Sequence, residues 1–163
     1  IEKAAVQARK LVHHESVGDL ITIYQSGDLE GKPIGLVESY ADCDDDGTLT
    51  LLFDEHGIQY NNWKAGSPVS FDIKSSSFPF FQLLKPRLSL QGLLSVVDSD
   101  SDNNEKLAKC FLHRHPFQKS RLPGNFYKFN VTDVYLLGDS SQVVYIGDIP
   151  VDLYKNVTLP KPH

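Results

Sequence analysis

The sequence lacks several features that would point to particular classes of protein. Its 163 residues include no methionine, two cysteines and one tryptophan. No apolar run approaches the roughly 20 residues that a membrane-spanning helix requires, so we expect no insertion into a membrane. The formal net charge is −5, and lysine and arginine form no basic stripe. The sequence therefore offers no phosphate-binding surface for nucleic acid.

The scarcity of cysteine leaves two interpretations open. Cys43 and Cys110 could pair in an oxidising compartment, but two cysteines do not make the framework of a disulfide-rich domain. Buried free thiols are the favoured interpretation, because cysteine is among the most buried residue types. A chain of this length can bury a core without disulfides or metals, so we expect a single domain over residues 1–163.

Three features bear on the cellular compartment. The chain begins at Ile1, so we expect a mature or trimmed chain, from which a signal peptide could have been removed. Asn130-Val131-Thr132 and Asn156-Val157-Thr158 both match the acceptor pattern for N-glycosylation, with no proline in the middle position. The pattern alone is equally compatible with ordinary polar residues in a strand or a loop. The sequence thus nominates Asn130 and Asn156 as glycosylation sites.

Two stretches show helical periodicity. In the first stretch the apolar residues that share one face are Ala4, Ala5, Ala8, Leu11 and Val12. We expect Gly18 to end that helix. In the second stretch Leu107, Cys110 and Phe111 recur at the spacing of one helical face, and Pro116 should stop the helix because a proline displaces its predecessor from the α region.

The remaining pattern is mostly β. Val69, Phe71 and Ile73 alternate with polar residues, which is typical of a half-buried strand, and Gly92 suggests a bulge in a longer one. The predicted strands cover residues 20–24, 34–40, 48–53, 69–74, 87–98, 126–131 and 134–137, with a polar loop from Gly138. Short strands joined mainly as hairpins predict a mainly β fold, a closed antiparallel barrel with peripheral helices.

Candidate metal and catalytic motifs are incomplete. Asp42, Asp44 and Asp46 followed by Gly47 match the first half of a calcium-binding EF-hand loop, but Phe53 falls where the bidentate carboxylate should be. The adjacent rings of His13 and His14 point apart on a helix, so both cannot bind one metal ion. No serine elbow and no base near a cysteine is evident. We therefore predict no metal site and no catalytic residue.

The order of elements carries a family resemblance. The opening helix, the strand RLSLQG, the helix ending His-Pro and the Phe-rich strand resemble the pyridoxamine-phosphate-oxidase-like, FMN-binding split barrel. Within that superfamily the sequence is most similar to the CREG family of secreted "cellular repressor" glycoproteins. The specific likeness lies in FLHRHP (111–116), NFYKFNVTDVYLL (125–137) and DLYKNVT (152–158), and the earlier two-thirds match in order and hydrophobic pattern.

The resemblance implies a secreted glycoprotein, or one of the endolysosomal or vacuolar lumen, that forms a homodimer across one barrel face. It also implies a fold inherited from flavoenzymes, without established oxidase chemistry. A phosphate-bearing cofactor such as FMN needs cationic or hydroxyl donors near the strand that ends at Phe53, where Asp54, Glu55 and His56 stand instead. We therefore expect no bound cofactor.

A flavin would still find candidate donors elsewhere in the chain. If FMN binds, the cofactor-binding residues are Lys32, Ser75 and Arg87, and Ser76 and Ser77 could add hydroxyls. An apolar cluster, Phe78, Phe80 and Phe81, either folds back onto the core or covers a cavity that relatives leave open.

Three functions follow from these observations. The favoured one is a non-catalytic glycoprotein that acts through protein binding as a homodimer, with a glycoprotein receptor as a further candidate partner. The second is an FMN-dependent oxidoreductase of the same superfamily. The third is a small-ligand carrier that uses the cleft between the two subunits.

Overall fold

The architecture is a closed antiparallel barrel, as the sequence predicts. A computed structural model describes residues 1–76, 85–99, 102–122, 124–139 and 144–160. Its strands are β1 Val17–Ile23, β2 Pro33–Ala41, β3 Leu49–Leu52, β4 Val69–Lys74, β5 Arg87–Val96, β6 Phe126–Asp139 and β7 Val144–Ile149. Their order in the sheet is β3-β2-β1-β4-β5-β6-β7, and β3 also pairs with β6. Six strands therefore close the barrel, and β7 adds a seventh strand that pairs with β6.

The bulge predicted at Gly92 is confirmed. The register between β5 and β6 shifts between Gln91 and Gly92. A Cβ at Gly92 would lie 2.5 Å from the Asn130 carbonyl oxygen, so only glycine permits this approach of the two strands. The extra residue is Thr132 of β6, so the bulge bends β6 opposite Gly92.

The helices lie around the barrel. They are α1 Glu2–His14, α2 Ile58–Lys64, α3 Asp102–Arg114 and α4 Val151–Lys155, with a 3-10 helix at Pro116–Arg121. The predicted face of α1, from Ala4 to Val12, is buried against the barrel. Gly18 does not end α1, because it lies within β1, where a Cβ would come 2.5 Å from the Asp72 carbonyl oxygen. None of the helices in these residue ranges is long and apolar enough to cross a membrane.

Three parts of the C-terminal third differ from the prediction. The two runs expected as separate strands form one strand, β6, which continues through Gly138. The alternation of buried and exposed residues along β6 slips once at Thr132, the extra residue of the bulge, so the sequence reads as two segments. Strand β7 and helix α4 were not predicted. Helix α3 ends before Pro116 as expected and buries Leu107 and Phe111.

The two cysteines form a disulfide, so the favoured expectation of free thiols is wrong. Cys43, in the loop after β2, is bonded to Cys110 on α3, 67 residues away in sequence. Both side chains pack against a small apolar cluster, separate from the barrel core, whose buried members are Ala41, Leu52, Leu107, Phe111 and Phe126. The disulfide thus ties α3 to the end of the barrel where this cluster lies.

A buried arginine joins residues from both ends of the chain, and no pattern in the sequence predicts it. Arg9 of α1 is 1% exposed. Its Nη1 donates to the carbonyls of Tyr154, Lys155 and Val157, and its Nη2 donates to that of Asp45. The Tyr154 hydroxyl in turn donates to the Gly47 carbonyl at 3.0 Å. We call Arg9, Tyr154, Asp45 and Gly47 the Arg9 junction.

Candidate functional site

A pocket of about 480 Å³, with polar side chains among its lining residues, lies on the outer face of the barrel. Cross-strand pairing places Asp19 of β1, Asp72 of β4, Ser89 of β5 and Tyr135 of β6 in one row. Lys74 and Arg87 pair in a second row, beside Leu137. Their neighbours along each strand point inward to the core, because side chains alternate between the faces of a sheet. We call this site the outer-face pocket.

The charges of the outer-face pocket balance. Lys74 Nζ lies 3.0 Å from Asp19 Oδ2. Arg87 and Asp72 complete two cations and two carboxylates among the lining residues. A phosphate dianion would have to compete with Asp19 for Lys74 and would meet the like charge of Asp72. The pocket in this form favours a neutral or weakly charged group.

Two polar atoms at this pocket have no hydrogen-bond partner. Asp72 Oδ1 and Arg87 Nε are buried and contact no donor or acceptor among the residues that the structure describes. An unpaired buried polar atom costs about 1–3 kcal/mol relative to a paired one. The outer-face pocket therefore retains the capacity to bind a polar group.

The structure brings together two of the three predicted FMN donors. Arg87 pairs with Lys74 across β4 and β5, and the Ser75 main-chain nitrogen donates to the Pro86 carbonyl at 3.3 Å. Lys32 lies in the β1–β2 turn, where the Tyr24 nitrogen donates to its carbonyl. Because Lys74 and Asp19 meet near the opposite end of β1, Lys32 is separated from Ser75 and Arg87 by roughly the length of that strand.

The neighbouring serines and phenylalanines have different outcomes. Ser76 donates to Glu15 Oε1 through both its main-chain nitrogen, at 2.9 Å, and its hydroxyl, at 3.2 Å. Its hydroxyl is therefore already engaged. Ser77, Phe78, Phe80 and Phe81 lie outside the described residues.

The acidic residues after β3 line a different cavity. Asp54, Glu55 and His56 border an open cavity of about 840 Å³ together with Arg121 and the start of α3, and no lining residue is shared with the outer-face pocket. The repulsion predicted from Asp54 and Glu55 applies to a phosphate near the end of β3, and these two residues do not line the pocket that contains Arg87. In the outer-face pocket Asp19 and Asp72, which sequence reasoning did not single out, supply the opposing charge.

Two glutamates near the end of β3 have pKa values that are shifted in opposite directions. Tyr127 Oη and Asn125 Nδ2 donate to Glu55 Oε1 at 2.6 and 2.7 Å. These bonds, that of Tyr127 first, hold the pKa of Glu55 below its usual range. Burial raises the pKa of Glu38, and Arg121, 3.7 Å away, opposes that rise only in part.

Both predicted glycosylation sites are accessible. Asn130 lies on the outer face of β6 and Asn156 directly follows α4, and both residues are exposed. The hydroxyl-bearing residues of the two motifs, Thr132 and Thr158, are exposed as well. Each motif therefore presents its asparagine and its threonine to solvent.

The residues that sequence reasoning missed do carry a signal. Asp72 and Lys74 occupy the polar positions of the alternating β4 strand, and Ser89 and Tyr135 occupy the outer positions of β5 and β6. Only the register, which a single sequence does not fix, shows that these polar positions meet in adjacent rows.

Solved structures with the same fold bind several kinds of cofactor. The heme binding protein from Mycobacterium smegmatis matches 93% of this chain at 19% identity, with a TM-score of 0.78. The Agrobacterium tumefaciens protein Atu2129, of unknown function, matches 85% at 20% identity and a TM-score of 0.71. The chain spans 60% and 57% of their lengths. A FAD-binding protein from Mesorhizobium loti matches 81% of this chain and 90% of its own, at 15% identity and a TM-score of 0.55.

Family membership comes from the sequence rather than from these distant structures. No curated protein matches the chain in sequence. The sequence profile described as "CREG, beta-barrel" matches residues 1–156, which takes in the whole barrel, the disulfide and both ends of the Arg9 junction. The solved structures share the split-barrel architecture that the resemblance implied. The chain belongs to the CREG β-barrel family.

Proposed function

We propose that this chain is a secreted or endolysosomal glycoprotein that acts by binding other proteins, as a homodimer and without catalysis. The observation that carries the proposal is the exposure of both acceptor motifs, at Asn130 and Asn156. The Cys43–Cys110 disulfide supports it, because disulfides form and persist mainly in oxidising compartments. Both features suit the lumen of the secretory pathway.

Exposed apolar residues support the homodimer. Tyr135, Val144 and Ile146 lie on the outer face of β6 and β7, and the two residues on β7 are 79% and 66% exposed. Ile146 is paired with Leu137, which borders the outer-face pocket. Adjacent exposed apolar side chains on a sheet mark an interaction surface. We call Tyr135, Leu137, Val144 and Ile146 the β7 patch, and a second copy is its proposed occupant.

A glycan at Asn130 would leave the β7 patch free. Asn130 pairs with Leu93 on the outer face, and its Nδ2 lies 3.2 Å from Ser95 Oγ. Five residues of strand separate Asn130 from Tyr135, which corresponds to roughly 17 Å. A glycan would cover the Leu93 end of this face, so two copies would meet through the β7 end.

The balanced charges of the outer-face pocket support a non-catalytic role. Lys74 is engaged by Asp19, so the pocket offers no surplus of cations for a flavin phosphate. No histidine or cysteine is among the residues that line it. Of the usual heme ligands, Tyr135 alone is present there.

Expression in a eukaryotic secretory host tests the proposal. We expect secreted protein whose intact mass exceeds that of the polypeptide and falls after enzymatic removal of N-glycans. Asn130→Gln and Asn156→Gln should each remove one glycan. Thr132→Ala is the matched control, since it should remove the same glycan as Asn130→Gln while the asparagine stays. A wild-type mass equal to that of the polypeptide would overturn the assignment.

Light scattering after size exclusion and an absorbance spectrum of the same sample complete the test. We expect a mass of two chains and no visible absorbance. A monomer at micromolar concentration would contradict the homodimer.

An FMN-dependent oxidoreductase is the second candidate, and Arg87 is the observation that favours it. Its buried Nε has no partner, and it lies beside Ser75 in a fold that carries FAD or heme in other proteins. Under this alternative the purified protein is yellow, and Arg87→Gln loses the flavin. A co-purifying compound without flavin absorbance would instead indicate a ligand carrier that uses the dimer cleft.

A further inference from the structure

One histidine and two aspartates converge where α1 meets the acidic loop after β2. His13 Nδ1, at the end of α1, lies 3.4 Å from Asp42 Oδ2. One ligand atom each from His13, Asp42 and Asp45 falls within 4.8 Å of the other two. The sequence motifs, a His-His pair and a partial EF-hand loop, were each insufficient for a metal ion. The fold unites one residue of the first motif with two from the loop that contains the second.

The other acidic residues of the loop are engaged elsewhere. Asp44 Oδ2 accepts from Lys128 Nζ at 2.6 Å. Asp46 Oδ1 accepts from the Thr48 main-chain nitrogen at 2.8 Å. Asp42 and Asp45 therefore remain as the carboxylates that approach His13.

The state of Asp42 is an independent observation that points to a ligand. Its side chain is 4% exposed, yet Oδ1 has no hydrogen-bond partner among the described residues. The Nη atoms of Arg9 bond to main-chain carbonyls instead of the carboxylate. A buried carboxylate oxygen without a partner is costly, and a bound cation is one way to satisfy it.

We propose that His13, Asp42 and Asp45 bind a divalent transition-metal ion of the zinc class, with water completing its coordination. Tetrahedral zinc with bonds of about 2.0–2.1 Å separates its ligand atoms by roughly 3.3 Å, close to the observed separation of His13 and Asp42. The imidazole nitrogen favours zinc over calcium, which prefers six to eight oxygens. The ion would link the end of α1 to the loop that also holds Cys43.

Titration of the untagged, metal-free full chain with Zn²⁺ tests the proposal. Isothermal calorimetry should show one zinc ion bound per chain, and Zn²⁺ should raise the melting temperature whereas Ca²⁺ and Mg²⁺ should not. His13→Ala, Asp42→Asn and Asp45→Asn should each weaken zinc binding by at least about tenfold, as expected for loss of a direct ligand. His13 and Asp45 are partly or fully exposed, so their variants carry the test even if Asp42→Asn does not fold.

Two neighbouring residues provide matched controls. His14 is adjacent to His13 and exposed, with ring centroids 5.8 Å apart, and Asp44 lies in the same loop but pairs with Lys128. His14→Ala and Asp44→Asn should retain zinc affinity within about twofold. The proposal is overturned if wild-type protein binds no zinc. It is also overturned if His14→Ala weakens binding as much as His13→Ala while Asp42→Asn and Asp45→Asn do not, which would indicate adventitious binding by surface histidines.

Discussion

The Arg9 junction and the outer-face pocket both bury polar atoms, but they differ in how these atoms are satisfied. At the junction, the two Nη atoms of Arg9 donate to four carbonyls. Within the described ranges, Nε is the one guanidinium nitrogen of Arg9 without a partner. At the pocket, the carboxylate of Asp72 and the guanidinium of Arg87 each keep a buried atom unpaired.

This contrast separates a buried network that holds the fold together from a surface pocket that can bind a polar group. A satisfied buried network rigidifies a structure, whereas unpaired polar atoms lower stability until a ligand or partner satisfies them. The junction connects α1, α4 and the acidic loop, and the disulfide ties the same loop to α3. The outer face has no comparable cross-link among the described residues. We expect mutations at the two places to have different consequences.

Of all the changes considered, removal of the disulfide near the Arg9 junction should lower the free energy of unfolding most. In the chain-entropy account, a bond that closes a loop with a separation of 67 residues stabilises the fold by about 4 kcal/mol. We therefore expect the Cys43→Ala, Cys110→Ala double variant to lose about that free energy of unfolding in urea denaturation. Reductant should destabilise the wild type and leave the double variant unchanged. A loss below about 1 kcal/mol would show that the loop is held mainly by other contacts.

Arg9→Ala should be the next most damaging change. It removes the donor to four carbonyls and leaves a cavity beside Tyr154, so we expect a loss of about 3 kcal/mol in the free energy of unfolding. Arg114→Ala is the matched control. Arg114 also donates to three carbonyls, of His13, His14 and Glu15, but these bonds are exposed, and its loss should cost no more than about 1 kcal/mol. Equal losses for the two variants would contradict the special role of burial.

A charge on the β7 patch should weaken the proposed dimer without lowering the stability of the monomer. Ile146→Glu would bury a carboxylate in the proposed interface, so the dimer dissociation constant should rise at least about tenfold. Leu93→Glu is the matched control, because Leu93 is equally exposed, at 68%, but lies beside Asn130. Light scattering over a dilution series should show dissociation for Ile146→Glu only. Dissociation of the Leu93→Glu protein instead would indicate that the interface lies at the end of the face beside Asn130. At protein concentrations low enough for the wild type and both variants to be monomeric, all three should unfold at the same urea concentration.

The barrel could be predicted from the sequence because its signals are local. The alternation of Val69, Phe71 and Ile73 is contained within one strand, and the apolar face of α1 within one helix. Gly92 is also a local signal, because a glycine within a predicted strand indicates a bulge or a close backbone approach. Periodicity and turn chemistry of this kind do not depend on distant parts of the chain.

The junction and the pocket could not be predicted, because both depend on residues far apart in sequence. Arg9 contacts carbonyls about 145 residues away, and nothing near Arg9 distinguishes it from an exposed helical arginine. Asp19, Asp72 and Tyr135 meet only through the register of four strands. The disulfide could not be predicted for the same reason, because it depends on the proximity of Cys43 and Cys110 in the fold rather than on the number of cysteines.

A related contrast, between hydrogen bonding and burial, appears at a smaller scale in the carboxylates of Glu55 and Glu38. Glu55 accepts hydrogen bonds from Tyr127 and Asn125, and its pKa is lowered. Glu38 has a side chain 17% exposed, with Arg121 at 3.7 Å, and burial raises its pKa. The two carboxylates should therefore change the free energy of unfolding with pH in opposite ways.

Both signs follow from proton linkage, relative to the ordinary value of 4.5 for a glutamate. The stabilisation from Glu55 is complete above 4.5 and is lost as the pH falls through its lowered folded-state pKa. Glu38 is destabilising when ionised, because the folded state holds its proton more tightly than the unfolded state does. Its cost therefore develops as the pH rises from 4.5 through its raised folded-state pKa.

Urea denaturation of Glu38→Gln and Glu55→Gln between about pH 3 and about pH 7 measures these differences. The stability of Glu38→Gln relative to wild type should increase as the pH rises above 4.5, and then become constant. The stability of Glu55→Gln relative to wild type should decrease as the pH rises towards 4.5, with no further change above it. These are the smallest effects of the series, because Glu55 lies near solvent and Arg121 offsets part of the burial of Glu38. The stability differences of the two variants could instead change with pH in the same direction. Hydrogen bonding and burial would then not distinguish Glu55 from Glu38, and the contrast drawn for the junction and the pocket would not extend to single carboxylates.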